Sequence, residues 1–269
     1  MLKNKMGFKK FSKQTMTICF HEFNQSLKDW KVLLILILLL ATLIGSLFLI
    51  DDVQERLNDA SKKQNYRAHK DINVYDLIGR EFGNPNFFVP FFVLAIILPL
   101  AIAFMFFDSV SSERQYNSIR YLITRVSHES IIFGKFLSNL FIIAPTILLF
   151  YIIAMFHIHY KLLEPLNFAS VFYPWFFFSF YSAAIISFIL FLSTFPKKPI
   201  RAIGLGIVGL LLMALFISNE KLKWLSVFYY LKDSVIGSLE QQFFNIMMLV
   251  IFSAVFLILG IIKLRRSDL

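Results

Sequence analysis

The sequence predicts an all-α integral membrane protein with six transmembrane helices, an amphipathic interfacial helix before them, and both termini in the cytoplasm. Its 269 residues are 58% hydrophobic and 17% aromatic, and its mean hydropathy is +0.68, above the apolar content of soluble domains. Six apolar segments have lengths near the roughly 20 helical residues that cross a bilayer. Basic residues also favour alternate connections between these segments. We therefore expect one multi-pass domain, residues 1–269, in the cell (inner) membrane.

The first element is predicted to be a helix over residues 9–31 that lies in the headgroup plane. Lysines dominate this region, and apolar residues recur at spacings of three and four, as in a surface helix. These apolar residues are Met16, Cys19, Phe20, Phe23, Leu27 and Trp30. A partly frayed basic tail is the alternative interpretation.

The six predicted spans follow in order. They cover roughly residues 32–50, 87–107, 136–157, 171–195, 202–217 and 243–262. The fifth is short, but it extends through Ile200 if Arg201 snorkels to the interface. Residues 51–86 and 218–242 form the longer connections on one side. The second of these is aromatic but too short to cross, which favours two short external helices broken near Ser226 and Gly237, although an ordinary amphipathic loop fits equally well.

The orientation follows from the distribution of Lys and Arg. The side that holds both termini, residues 108–135 and residues 196–201 carries 17 basic and 6 acidic residues, against 10 and 11 on the other side. The side with more Lys and Arg is cytoplasmic in most membrane proteins. Residues 108–135 are therefore predicted to be cytoplasmic.

Composition also excludes several classes of function. All charged residues fall in the connections or at the ends of the predicted spans, which disfavours a proton- or ion-coupled carrier because such carriers need ionisable groups at depth. The net charge is +10, and the basic residues that produce it lie mostly beside the spans. We therefore expect anionic lipid as the partner, and not nucleic acid. Neither a catalytic constellation nor a metal-ligand spacing is apparent, and the single cysteine, Cys19, permits no internal disulfide. We expect no catalytic residue, metal or cofactor in this chain.

Two glycine patterns resemble nucleotide-binding motifs but lack the required context. Gly204, Gly206 and Gly209 have the spacing of a dinucleotide fingerprint, yet they lie in a membrane span and not after a strand. Ala202 and Gly206 instead form a small-xxx-small pair, typical of close helix contact. Gly134 and Lys135 lack the glycine five residues earlier that a phosphate-binding loop needs, because Glu129 stands there.

Residues 108–135, which we call the coupling segment, form the long polar and helical connection between spans two and three. Its apolar stripe consists of Ile119, Leu122, Ile123 and Val126. A second helical run begins near Ser130, and Ser127 is positioned to cap it, with Glu129 in the first turn. Two short helices with an exposed apolar and basic surface normally bind a partner groove.

At these residues the chain resembles the permease subunits of type-2 ABC exporters, including those linked to copper-enzyme maturation and gliding motility. That family has a glutamate after span two, then Gly-Thr, a leucine-rich turn, a Ser-x-Pro-like break and Gly-Lys. The corresponding residues here are Glu113-Arg114, Asn117-Ser118, Leu122-Ile123, 124–127 and Gly134-Lys135. Asn-Ser replaces Gly-Thr, and Val126 replaces the proline. The aromatic segment 226–230 and the basic end of the last span are also similar.

The resemblance implies an ATP-driven machine. Two permeases would pair as a homodimer or heterodimer around a central pathway, and separate ATP-binding cassette subunits, which bind ATP and Mg, would grip the coupling segment. The residues that would contact the ATPase are Glu113, Arg114, Ser118, Arg120, Leu122 and Arg125. One alternative is a structural or immunity membrane protein that works without an ATPase. A less favoured alternative is a secondary carrier.

Overall fold

A computed structural model of the chain describes residues 2–65, 88–115, 125–162, 168–231 and 239–267, and this part contains helices and no strand. Its α-helices are α1 (Leu2–Lys28), α2 (Trp30–Asn65), α3 (Phe88–Phe106), α4 (Ser111–Gln115), α5 (His128–Leu162), α6 (Ala169–Ser193), α7 (Pro199–Phe216) and α8 (Leu239–Ser267). Six of these are long and apolar enough to cross a membrane, namely α2, α3, α5, α6, α7 and α8. The predicted all-α class with six spans is confirmed.

Helix α6 is the centre of the bundle. It packs against α3, α5, α7 and α8, and it is the most buried of the six spans. Its side chains explain this position, because Phe177, Phe178 and Tyr181 are all fully buried. The Phe177 ring stacks on Tyr181 and on Phe91 of α3, and the Phe178 ring is tilted against Phe91. These contacts fix how α3 and α6 approach each other.

Polar side chains cap the starts of two helices, and a proline stands at the start of a third. The Asp29 carboxylate accepts a hydrogen bond from the Lys31 backbone N–H at 3.0 Å, so Asp29 separates α1 from α2 and caps α2. The Ser127 hydroxyl accepts one from the Ser130 N–H at 3.3 Å, which confirms the predicted cap of the second helical run. Helix α7 begins with Pro199 at its first position, where a missing N–H has no cost.

Several helices are longer than the predicted spans. Helix α2 continues from residue 50 to Asn65 into the predicted external connection, since residues 51–65 contain no Gly or Pro to end it. Helix α5 begins at His128, so the second run of the coupling segment and span three form one continuous helix. Between α7 and α8, a 3-10 helix, Lys223–Leu225, ends at the extended Ser226. That is the predicted break, whereas Gly237 lies outside the described residues.

Helix α1 presents two different faces. Thr15 and Cys19 are buried where α1 packs on α5. Part of the predicted apolar stripe points elsewhere and is exposed, namely Met16, Phe20, Leu27 and Trp30. The chain can thus bury one side of α1 in protein and offer a second, apolar side to its surroundings.

Candidate functional site

The coupling segment is fixed to the rest of the chain around Lys135. This lysine lies on α5, and only 2% of its side chain is exposed. The Nζ of Lys135 is 2.8 Å from Oε1 of Glu22 on α1 and 2.9 Å from Oε1 of Glu113 on α4. A buried charge persists only when paired and hydrogen-bonded, so Lys135 joins three helices at one point.

Helix α4 is only five residues long, and it is held from both sides. Glu113 binds Lys135, while the neighbouring Arg114 guanidinium donates to the Thr194 carbonyl at the end of α6. The Ser193 hydroxyl accepts hydrogen bonds from the backbone N–H groups of Val110 and Ser111, at 3.1 and 3.2 Å. These otherwise orphaned donors at the start of α4 are therefore satisfied by α6. A short helix that could not be stable alone is locked in place.

Two further ion pairs lie at the same end of the bundle. Lys31 at the start of α2 is 2.8 Å from Asp108, which follows α3. Glu129 in the first turn of α5 pairs with Arg265 in the last turn of α8. Both pairs are partly exposed, so each adds little stability by itself. Their positions matter more. The first pair joins the start of α2 to Asp108, where the coupling segment begins, and the second joins the end of α8 to Glu129, near the end of the segment.

Gly134 allows α1 to approach α5 closely. A Cβ at this position would lie 2.7 Å from Cγ2 of Ile18 and 3.2 Å from the Thr15 carbonyl oxygen. Such distances are shorter than carbon contacts permit, so the crossing requires glycine. The adjacent Cys19 is 1% exposed, and its burial raises the pKa of the thiol. Gly134 sets the crossing point, and Lys135 then reaches Glu22 across it.

A small polar cavity lies beside this cluster. It has a volume of about 130 Å³ and is lined by α1, the end of α3, α4 and α5, including Glu22, Asp108, Glu113, Lys135 and Asn139. Asn139 is 3% exposed, and its side-chain amide nitrogen has no hydrogen-bond partner among the residues that the structure describes. A polar cavity of this size has room for several water molecules. The ion cluster thus borders a polar cavity and is not surrounded by apolar side chains alone.

The residues predicted to contact an ATPase divide into three groups. Glu113 and Arg114 are engaged within the chain, as described above. Arg125 is exposed, and its backbone carbonyl accepts a hydrogen bond from the Gln14 side chain at 3.3 Å. Ser118, Arg120 and Leu122 lie outside the described residues. Contact with an ATPase stays a prediction for all six.

The predicted helix-packing pair lies where α7 meets α6. Ala202 and Gly206 are both buried, and a Cβ on Gly206 would be 3.5 Å from Cδ1 of Ile189 on α6. The tightest approach is one turn further on, where a Cβ on Gly209 would be 2.6 Å from Cδ1 of Leu192. The glycines of the dinucleotide-like pattern therefore lie within a helix, where Gly206 and Gly209 face α6 and Gly204 is exposed.

Sequence reasoning missed the role of Lys135 and the participation of Glu22. It counted both as ordinary cytoplasmic charges, because Glu22 and Lys135 are separated by 113 residues and no spacing rule connects them. One signal was present, since Gly134-Lys135 was singled out as a match to a family motif. The three-dimensional contacts supply its physical reason.

Comparison with known proteins assigns the family. A search of curated proteins finds no match to this chain. The family model described as ABC-2 family transporter protein matches residues 16–269, which include all six spans, the coupling segment and the second half of α1. The chain therefore belongs to the ABC-2 family of transporter proteins, as a multi-pass membrane permease.

Proposed function

We propose that this chain is the permease subunit of an ATP-driven exporter and that the coupling segment transmits the motion of a separate ATP-binding subunit into the spans. The observation that carries the proposal is the cluster at Lys135, which joins α1, α4 and α5 through two ion pairs. A force applied to the coupling segment would reach the membrane helices through these contacts.

The coupling segment has the parts that a lever needs. Its second half contains the beginning of α5, a continuous helix of 35 residues with Pro145 inside it, so a displacement at its start is carried along one helix into the membrane. Its first half, α4, is bound to the end of α6 by Arg114 and Ser193. Displacing the segment therefore moves α5 relative to the central helix α6.

The ATP-binding subunit supplies the energy in this proposal. It holds ATP and Mg, and two copies close on each other when ATP binds. Closure favours one arrangement of the permease because the subunit contacts its two arrangements differently. Ser118, Arg120, Leu122 and Arg125 form the contact surface. Glu113 and Arg114 act from within the chain by fixing that surface to the spans.

The remaining features of the proposal follow the family. Two permease chains, identical or different, pair around the export pathway, and both termini and the coupling segment lie in the cytoplasm. The excess of basic residues on that side supports this orientation. The chain itself carries out no chemistry.

The test is co-purification of an ATP-binding subunit with the tagged chain from its native membranes. We expect the double variant Leu122→Asp, Arg125→Asp to lose the subunit, because two carboxylates replace an apolar and a cationic contact. The matched control is Leu222→Asp, Lys221→Asp on the opposite side, which should retain it. Equal recovery with both variants would contradict the assignment. Absence of any ATP-binding protein from the unmutated sample would favour a membrane protein that works without an ATPase.

A further inference from the structure

A second cavity lies within the membrane-spanning part, between α5, α6 and α8. Its volume is about 490 Å³, and aromatic and aliphatic side chains line it, among them Phe136, Leu140, Trp175, Phe180, Val250 and Leu257. Phe176, Val250 and Ile258 at its edge are 48%, 44% and 55% exposed. The cavity is therefore a groove that opens on the outer surface of the bundle, toward lipid.

The polar side chains of the groove already donate within the chain. The Trp175 indole N–H donates to the Ala144 carbonyl at 2.9 Å. The Ser179 hydroxyl donates to the Trp175 carbonyl at 2.7 Å, and that of Ser253 lies 3.5 Å from the Ala183 carbonyl. A ligand in the groove would therefore make apolar contacts. Trp175, Ser179 and Ser253 would offer it no free hydrogen-bond donor. This chemistry suits a hydrocarbon chain.

The length of the groove suits an acyl chain. Along α8 it extends from Val250 to Ile258, which is roughly 12 Å at the helical rise. A single acyl chain is narrower than a helix and can follow the uneven aromatic lining.

The polar end of the groove carries positive charge. Phe133 lines the groove one helical turn after Glu129, which pairs with Arg265. By the helical period, Arg265 lies on the same face of α8 as Ala254 and Ile258, and 59% of its side chain is exposed. Basic residues at the level of the headgroups attract anionic lipids. A lipid whose chain fills the groove would place its headgroup beside Arg265.

We propose that this groove binds one acyl chain of an anionic phospholipid from the leaflet that meets the start of α5. The bound chain completes the contact between α5, α6 and α8 at a place where protein side chains leave a gap. Apart from Phe133, the groove is lined by residues outside the coupling segment, and the proposal requires only that these three helices span the membrane.

Quenching of Trp175 fluorescence tests the proposal. In the variant Trp30→Phe, Trp224→Phe, Trp175 is the sole tryptophan. Purified in detergent, this protein would be titrated with phosphatidylglycerol that carries brominated acyl chains, which quench tryptophan on contact. We expect saturable quenching at about one lipid per chain, and at least tenfold weaker binding after Ala254→Phe. Ala254 lines the groove and is exposed, so phenylalanine can fill the space without displacing the core.

The matched control is Ala214→Phe, an exposed alanine on α7 outside the groove, which should bind as the parent does. If Ala254→Phe folds poorly, Val250→Phe with Val208→Phe as control provides the same comparison. Arg265→Ala should weaken binding of brominated phosphatidylglycerol but not of brominated phosphatidylcholine. Non-saturable quenching, or equal quenching in groove-filled and control variants, would overturn the proposal. So would a shift of Ala254→Phe from dimer to monomer without loss of lipid, because a second copy would then occupy the groove.

Discussion

The role of Lys135 depends on the residues packed around it in the fold and not on its neighbours in the sequence. Its ammonium is almost fully buried between two carboxylates from different helices. Removing water from three charged groups is costly, and their mutual attraction offsets that cost only while all three are present. The cluster is therefore sensitive to the loss of any single member.

We predict that Lys135→Met destabilises the protein by about 3 kcal/mol, since it leaves Glu22 and Glu113 facing each other without a cation. A thermal unfolding scan in detergent measures the effect. Lys197→Met removes an exposed lysine and should change the melting temperature little. Adding Glu22→Gln and Glu113→Gln to Lys135→Met should recover most of the loss. A stable single variant would show that the cluster does not hold the helices together.

Cys19 provides a second test at the scale of one residue. The thiolate is the reactive form of cysteine, and burial both shields this thiol and raises its pKa. The thiol is therefore mostly protonated at neutral pH. We predict slow labelling by maleimide in the folded protein and rapid labelling after denaturation. Rapid labelling in the native state would mean that α1 is not packed on α5.

At the scale of the helices, the crossing of α1 and α5 depends on Gly134. An added methyl group would meet both Ile18 and the backbone at Thr15, so the helices would have to separate. Separation would lengthen the distance from Lys135 to Glu22. Gly134 thus allows α1 and α5 to approach each other, and this approach brings Glu22 within reach of Lys135.

Gly134→Ala is therefore expected to expose α1, with Cys19 labelled at least several-fold faster than in the parent protein. Gly204→Ala adds the same methyl group in open space and should leave the labelling rate unchanged. The additional change Ile18→Gly should slow the labelling again, because it removes both the Cβ and the Cγ2 of Ile18, which the added methyl group would meet at 2.8 and 2.7 Å. Unchanged labelling of Gly134→Ala would indicate that the two helices have room to adjust.

The sequence predicted the spans well because hydropathy over about 20 residues is a strong local signal. It predicted the caps at Ser127 and the break at Ser226 for a similar reason, since both depend on neighbouring residues. The end of α2 was not predicted, because helical propensity continues beyond the apolar run without any change in period. The ion cluster was not predicted because its members approach only after three helices have packed.

At the scale of the whole molecule, one end of the bundle differs from the rest. The start of α2, the end of α3, the start of α5 and the ends of α6 and α8 meet there through ion pairs and hydrogen bonds. The spans between these ends are held mainly by apolar and aromatic packing. Polar links at one end and apolar packing along the spans let a displacement of that end tilt the helices as units.

The most direct test is the side of the membrane on which the coupling segment lies. In a Cys19→Ser background, Arg125→Cys and Lys221→Cys each place one thiol at an exposed position at opposite ends of the spans. Intact cells would be treated with a membrane-impermeant maleimide, and a permeabilised sample would serve as the reference. We predict that the cysteine at 221 is labelled in intact cells and that the one at 125 is labelled only after permeabilisation. Labelling of the cysteine at 125 in intact cells would place the coupling segment beyond the reach of any cytoplasmic ATPase and contradict the proposed mechanism.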